Sequence, residues 1–259
     1  MKIEAGGKTD VGKVRSSNED ALLIDIELGL FAVADGMGGH NAGEVASSLA
    51  LDTLRAEVKK ASAETPMTKC LADAIVAASH AVAAEAKADS GKAKMGTTLT
   101  ALLVRDGRAA VGHVGDSRLY QVRWGNIEKL TEDHTAVGEL VRAGAVSEED
   151  AKGHPWTHVL SRVVGKGDVE VQSAEIELEA GDRFLICSDG FSDSLTDSSW
   201  ITDIIEKSAN ESAADLVSRA IELDGNDNAT AVVVVVGAEE ARGERRSLWE
   251  RFRGALTDS

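Results

Sequence analysis

Aromatic residues are scarce in this chain of 259: four Trp, four Phe and one Tyr, 3% in all. The hydrophobic fraction of 43% still allows a sizeable core, so that core must rest on Val, Leu, Ile and Ala. Cysteine is nearly absent too. Cys70 falls on an apolar helical face and Cys187 inside an apolar run, positions of small buried hydrophobes rather than of a disulfide or metal pair. Basic residues are in deficit, with 28 Lys and Arg against 44 Asp and Glu and a net charge of -16. Such a surface repels nucleic acid and anionic membrane. It serves solubility, and it also concentrates divalent cations. No apolar run reaches membrane-spanning length, the longest being Ala229 to Val236, and no early segment has the basic start, apolar core and cleavage site of a signal peptide. The expectation is a cytoplasmic monomer with neither nucleic acid nor membrane as partner.

What is present has a telling order. Leu22 to Glu27 and Leu30 to Ala34 are short apolar runs around a Leu28-Gly29 turn, a hairpin signal. Two helical patterns follow. The first places Val45, Leu49, Leu54 and Val58 on one face with small alanines beside them; the second runs from about Met67 to Lys87. Runs Thr97 to Val104 and Arg108 to Val114 meet at Asp106-Gly107, a strong hairpin turn, and Leu119 to Arg123 with Asn126 to Leu130 repeat this around Trp124-Gly125. His134 to Arg162 reads as an excursion off the sheets. Strands resume at Val169 to Leu178 and Arg183 to Ser188, helices at Ser198 to Lys207 and Ala213 to Leu223, and a last strand at Ala229 to Val236. Hairpins followed by paired helices do not alternate as βαβ units. The order predicts an α+β fold with antiparallel sheets and helices outside. One domain is expected over 1–238, with an excursion about 134–162 and a charged tail over 239–259. Leu248, Trp249, Phe252 and Leu256 give that tail an amphipathic face, suited to packing on the domain and, less so, to a partner or membrane surface.

Several apolar strands end in a carboxylate beside a glycine: Asp35-Gly36, Asp116 after Gly115, and Asp189-Gly190. Such an end can turn a carboxylate toward a shared pocket without burying an unpaired charge. Glu19, Asp20 and Asp227-Asn228 add to the set. A single Asp-Gly is usually only a turn, and Asp106-Gly107 and Asp224-Gly225 are read so. The constellation as a whole, with no Cys/His zinc spacing and no EF-hand loop, favours Mg2+ or Mn2+. Two such ions about 3.5–4 Å apart could bridge a hydroxide and clamp a phosphoryl oxygen. Arg15, four residues before Glu19, serves equally as a surface arginine or as a bidentate phosphate ligand.

Taken in order, Arg15-x-x-Asn18-Glu19-Asp20, Asp35-Gly36-Met37-Gly38-Gly39-His40-x-x-Gly43-Glu44-x-Ala46-Ser47, Gly96-Thr97-Thr98, Gly115-Asp116-Ser117-Arg118-x-Tyr120, Leu130-Thr131-x-Asp133-His134, Ser188-Asp189-Gly190 and Asp227-Asn228-x-Thr230 resemble the motifs of the metal-dependent (PPM, type 2C) serine/threonine protein phosphatases, in their bacterial form. The resemblance covers roughly Thr9 to Val236. It implies a four-layer α-β-β-α sandwich of two antiparallel sheets flanked by helices, with 134–162 as a flap subdomain. It implies that Asp35 bridges two metals, that the Gly36 carbonyl, Asp189 and Asp227 also bind metal, and that Glu19 lies near the second ion, acting through water. Asp20 and Asn228 stand behind them. Asp116 with Asp189 would hold a weaker third ion, and Arg15 the phosphate.

The implied reaction is direct attack of a metal-bridged hydroxide on phosphoserine or phosphothreonine, opposing a bacterial serine/threonine kinase. No triad or Cys-x5-Arg nucleophile site is present. Animal members are thought to donate the leaving-group proton from a histidine just after the Asp-Gly pair; here that position is Met37. His40, three residues on, is a candidate donor or a helix-cap hydrogen bonder, and water at the third site is the other candidate. His113 and His134 read as structural. In the flap, His158 stands where Asn is expected, Trp156 is unusual, and Ser161-Arg162 resembles the family's Thr-Arg, departures read as bearing on substrate preference. A catalytically silent phosphoprotein-binding scaffold is the competing reading, though it has no need of five separated carboxylates. A two-metal nuclease is opposed by the charge of -16.

Overall fold

A computed structural model describes residues 1–39, 42–151, 153–194, 200, 204 and 207–237. One antiparallel sheet runs in the order β1 (Ile3–Asp10), β11 (Ala229–Val236), β10 (Arg183–Cys187), β7 (Arg118–Arg123), β8 (Asn126–Lys129). The other runs β2 (Asp20–Asp25), β3 (Leu30–Met37), β5 (Leu99–Arg105), β6 (Arg108–Val114), β9 (Gln172–Glu177), with the two-residue β4 (Gly96–Thr97) also paired to β3. Helices α1 (Ala42–Lys60) and α2 (Met67–Ala88) cover the second sheet. Short α3 (Ala136–Arg142) and α4 (Glu148–Ala151) lie in the excursion, α5 (Asp189–Ser192) follows β10, and α6 (Ala209–Leu223) covers the first sheet. This is the four-layer α-β-β-α sandwich that the motifs implied.

The period-two rule of strands builds the layers. In β3, Leu30, Ala32 and Ala34 face α1 and α2, while Phe31 and Val33 face the other sheet. In β11, Ala229, Ala231, Val233 and Val235 face α6, while Val232, Val234 and Val236 meet Phe31, Phe184 and Ile186 between the sheets. Both faces are covered, so β11 is an unbroken apolar run rather than an alternation. With few aromatics, Phe31 and Phe184 are the largest side chains filling the inter-sheet layer, and both are fully buried.

Four features differ from the sequence reading. On α1 the fully buried face is Ala42, Ala46, Ala50 and Leu54, and Val45 and Leu49 are only half-buried, because the helix rides close on the sheet through its alanines. The 22-residue α2 is long and apolar enough by composition to cross a membrane, contrary to the run-length reading. Its Cys70, Leu71, Ala74, Ile75, Ala78 and Val82 are packed against the second sheet. The strand expected from Thr97 is split at Thr98. Finally β1 has no counterpart in the expectations. The helical pattern over 198–207 and the tail over 239–259 lie mainly or wholly outside the described residues.

Candidate metal centre and active-site cleft

The strand ends at one edge of the sandwich open a cleft of about 1110 Å³. Arg15, Glu19, Asp35, Gly36, Asp116, Asp189, Asp227 and Asn228 all line it. Seven of those residues carry charge or chemistry on the side chain, and they come from far-apart segments. Asp20 sits behind the wall, directly opposite Asp35 in the β2–β3 register. His40 lies outside the described residues.

Local hydrogen bonds hold each carboxylate in place. The Thr98 N–H donates to the Asp35 carbonyl (2.9 Å), and the Asp35 N–H donates to Thr98 Oγ1 (2.9 Å). Thr98 Oγ1 also meets Ser117 Oγ at 2.7 Å, tying the Asp35 strand to the turn that carries Asp116. This is where the strand breaks between β4 and β5: the Thr98 N–H still bonds to the β3 backbone, but the Asp35 N–H goes to the Thr98 hydroxyl instead of to its carbonyl. Asn228 clamps the N-terminal loop, donating from Nδ2 to the Val11 and Ser17 carbonyls (2.9 and 3.0 Å) and accepting from the Glu19 N–H at Oδ1 (2.8 Å). Asp20 Oδ2 accepts from Ser188 Oγ (2.8 Å) and Thr230 Oγ1 (2.6 Å), joining the two sheets beneath the cleft. A side chain at Gly36 would run into the carbonyls of Gly43 and Glu19, so only glycine lets α1 and the Glu19 segment close on Asp35.

The electrostatics are those of crowded acid. Burial, then the charges of Asp20, Asp189 and Asp116, push Asp35 well above the usual carboxylate range. Burial and then Asp189 raise Asp116 to about 8, and burial raises Asp20 to about 7 despite its two hydroxyl donors. Glu19 is also raised by burial, with Arg15 opposing. Burial acts on Asp189 in the same direction, but neighbouring His158 and Asp35 outweigh it and hold Asp189 low. Two cationic side chains line the cleft among the described residues. Arg15 Nη2 donates to Asp227 Oδ2 at 2.6 Å, with the two side chains 53% and 40% exposed. His158 is lifted to about 9, chiefly by Asp189 beside it, against the opposing effect of burial and with help from Asp193.

Carboxylates this buried and this crowded resist ionisation unless a cation joins them. The donors are all oxygen on the cleft floor, the set that suits Mg2+ or Mn2+. The residues present therefore fit a hard divalent centre. Asp193, four residues after Asp189, was not singled out in the sequence; its i, i+4 spacing on a helical turn is the signal that would have found it. His158 was read as bearing on substrate preference; its ring lies against the carboxylates, with Nδ1 3.7 Å from Asp189 Oδ2.

The flap segment is anchored beside Asp116. Buried His113 donates from Nε2 to the Glu132 carbonyl (3.0 Å) and accepts from Thr100 at Nδ1 (2.8 Å). His134 stacks on it at 4.7 Å, accepts the Gly115 N–H at Nδ1 (3.1 Å) and faces Arg162 Nη1 with Nε2 (3.2 Å). A neutral ring has one acceptor nitrogen, and a protonated ring has none to offer either donor. Burial first, then Arg162, lowers His134 to about 4, and burial lowers His113 to about 3.

A sandwich of two antiparallel sheets whose converging strand ends gather carboxylates beside an arginine defines a protein with a hard divalent-cation site. The chain belongs to the protein phosphatase 2C family, whose model matches residues 13–222. It is 38% identical over 236 residues to the serine/threonine protein phosphatase PstP of Mycobacterium tuberculosis, covering 91% of this chain and 45% of that protein. This chain thus spans less than half the length of that relative. It is 34% identical over 241 residues to the serine/threonine phosphatase Stp of Listeria welshimeri, covering 90% and 95%. Among solved structures, the Mycobacterium tuberculosis PstP/Ppp crystal structure superposes with a TM-score of 0.84 at 36% identity, covering 90% of this chain and 98% of that one. The catalytic domain of PstP in complex with two manganese ions superposes with a TM-score of 0.81 at 36% identity, covering 90% and 97%.

Proposed function

We propose that the chain hydrolyses phosphoserine and phosphothreonine in proteins with Mn2+ or Mg2+, opposing a serine/threonine kinase in the cytoplasm. The observation that carries this reading is the convergence of Glu19, Asp35, Asp116, Asp189 and Asp227 on one cleft with Arg15 at its rim. In this proposal Asp35, the Gly36 carbonyl, Asp189 and Asp227 would hold the core ions, with Glu19 in support, and Asp116 with Asp189 would hold a weaker third. Divalent ions bound there supply Lewis-acid stabilisation of phosphoryl charge and acidify water. The manganese pair of the PstP relative supports that choice of ion.

The chain's own residues bind and orient the ester. Arg15 is half-exposed and its partner Asp227 is also open to solvent, so the pair is held by about 1 kcal/mol or less. The guanidinium can therefore turn to fork two phosphoryl oxygens. Neither cysteine lines the cleft, and burial pushes the Cys187 thiol up to about 12, so no thiolate is available for a covalent phosphoenzyme. His40 is the proposed proton donor to the leaving alkoxide. A silent phosphoprotein-binding scaffold has no use for Asp20, Asp35 and Asp116 held against their tendency to stay protonated. The test is release of phosphate from a phosphothreonine peptide, and of p-nitrophenol from its phosphate, with Mn2+. No turnover with Mn2+, Mg2+ or Co2+ would sink the proposal.

A further inference from the structure

The hairpin turns β2–β3, β5–β6 and β7–β8 all lie at the end of the sandwich away from the cleft. Gly237, which follows β11, sits there too. Its N–H donates to the Lys2 carbonyl at 2.7 Å, and the Val236 carbonyl accepts from Gly181 at 2.9 Å. The chain beyond Gly237 therefore starts roughly 25 Å from the cleft, the length of the eight-residue β11.

Trp124, at the tip of the β7–β8 hairpin, is 74% exposed, the most open large apolar side chain among the described residues. With Gly125 its backbone turns through positive φ (54° and 82°), a geometry that favours Asn or Gly. The turn itself has no use for an indole, yet the ring is held in place. Its Nε1 donates to Glu179 Oε2 at 3.2 Å, and Arg123 Nη1 donates to Glu179 Oε1 at 2.9 Å. Arg123 also forks Asp182 (2.7 and 2.6 Å), whose backbone carbonyl accepts the Val236 N–H at 2.9 Å. The indole and the point where the chain leaves β11 are thus braced by one short turn, 179–182.

The chain carries its own complement to this surface. Residues 242–253 hold five arginines against two glutamates, together with Leu248, Trp249 and Phe252, in a chain of net charge -16. Glu128, Glu177 and Glu179 are exposed beside the Trp124 turn, and Arg123 is already engaged by Asp182 and Glu179. Reach is sufficient. Strand β7 lies two strands from β11, about 10 Å across, and the five residues from Gly237 to Arg242 span up to about 17 Å. An anionic membrane would attract the same arginines, but it would repel the acidic surface that surrounds them.

We propose that residues 242–253 dock on this far end of their own sandwich, with arginines over the Trp124 ring and against the glutamates, and with Trp249 and Phe252 adding apolar contact. The docked segment covers the hairpin end and leaves the cleft open, so it acts as a brace and not as a lid over the site.

The test is limited trypsin digestion of the full chain, followed by mass spectrometry, with a free peptide of residues 242–253 as reference. Cleavage after the tail arginines should be about tenfold or more slower in the chain than in the peptide, because cutting requires the undocked form. Trp124→Asn should bring the rate to that of the peptide, and Asn suits the turn, so the hairpin is kept. Trp249→Ala should do the same from the other side of the contact. Nitrogen NMR of 15N-tryptophan-labelled chain reads the contact directly: the Trp249 indole resonance should move in Trp124→Asn while that of Trp200 stays. Peptide-like cleavage of the wild-type tail overturns the proposal, as does slow cleavage retained in both variants. Protection that appears only with anionic phospholipid vesicles would make a membrane the occupant, and protection lost on dilution would make it a second copy of the chain; either result also overturns it.

Discussion

Strand β3 carries Phe31 and Val33 into the apolar layer between the sheets and, two residues on, Asp35 into the cleft. Strand β10 carries Phe184 and Ile186 into the same layer and ends at Cys187, two residues before Asp189, and Asp227 lies two residues ahead of β11, whose Val232 and Val234 face that layer. The same strands therefore build both regions. Between the sheets their alternation stacks side chains whose burial is favourable by about 1.5–3 kcal/mol each. At the edge their ends and the turns beyond them gather carboxylates whose burial is unfavourable until a cation arrives. Stability and chemistry lie at opposite ends of the same strands, and the two ends should respond to substitution in opposite ways.

The largest effect should come at the cleft end. Asp35→Asn removes the most strongly crowded carboxylate, and turnover should fall by roughly a thousandfold or more, on the scale of losing a key electrostatic group. The metal-free protein should nonetheless melt no lower than wild type, because burial and the acids Asp20, Asp189 and Asp116 already favour a neutral group at that position and an amide is neutral at every pH. Thermal melts in chelator, beside kcat, check both halves. Wild-type turnover would refute the role given to Asp35.

Phe184→Ala is the converse experiment. The ring is fully buried in the inter-sheet layer, and its removal should cost about 3–5 kcal/mol of stability by denaturant titration. Below the new melting point, kcat with saturating Mn2+ should stay within a few-fold of wild type. A loss of activity without loss of stability would break the division between the two ends.

The histidine pair beside the flap sharpens the contrast through pH. A raised acid such as Asp116 keeps its proton when folded up to about 8, so in metal-free protein it makes stability fall as pH rises from about 4 toward 8. His134 has the opposite sign. Its folded value is about 4, below the unfolded 6.5, so its contribution is fully present above 6.5 and is lost as pH falls from 6.5 through 4. The stability difference between wild type and His134→Gln should therefore shrink by up to about 3 kcal/mol over that window. A difference independent of pH would show that the ring is not held neutral.

Much of this was readable in the chain, for reasons that are local. The run Ala229 to Val236 is β11 to the residue, since both its faces are buried and its neighbours are turns. Asp35, Asp116 and Asp189 were legible because a glycine stands beside each: at Asp116 and Asp189 it lies just past the strand, while at Asp35 the strand runs on through Gly36 to Met37. Strand β1 was not legible: Ile3 to Asp10 has two central glycines and polar flanks, and it is a strand because β11 pairs with it along eight residues. The split at Thr98 is set by Asp35, 63 positions away. The place of His158 against Asp189 likewise depends on how the flap returns to β10, which no periodicity carries.

Arg15 gives the smallest and most selective test of the comparison, because it is the one cleft residue argued to act on the substrate without burying charge. Its side chain is 53% exposed and its bond to Asp227 is weakly held, so Arg15→Lys should leave the melting temperature unchanged within error. Lysine keeps the positive charge but replaces a planar fork by a point donor, so it can hold one phosphoryl oxygen where arginine holds two. The expected result is a ten- to hundredfold lower kcat/KM on a phosphothreonine peptide, about 1.4–2.7 kcal/mol, carried mainly by KM, with Mn2+ affinity unaltered. If Mn2+ binding weakened instead, the contact with Asp227 would be part of the metal centre's support, and the rim of the cleft would belong with its floor.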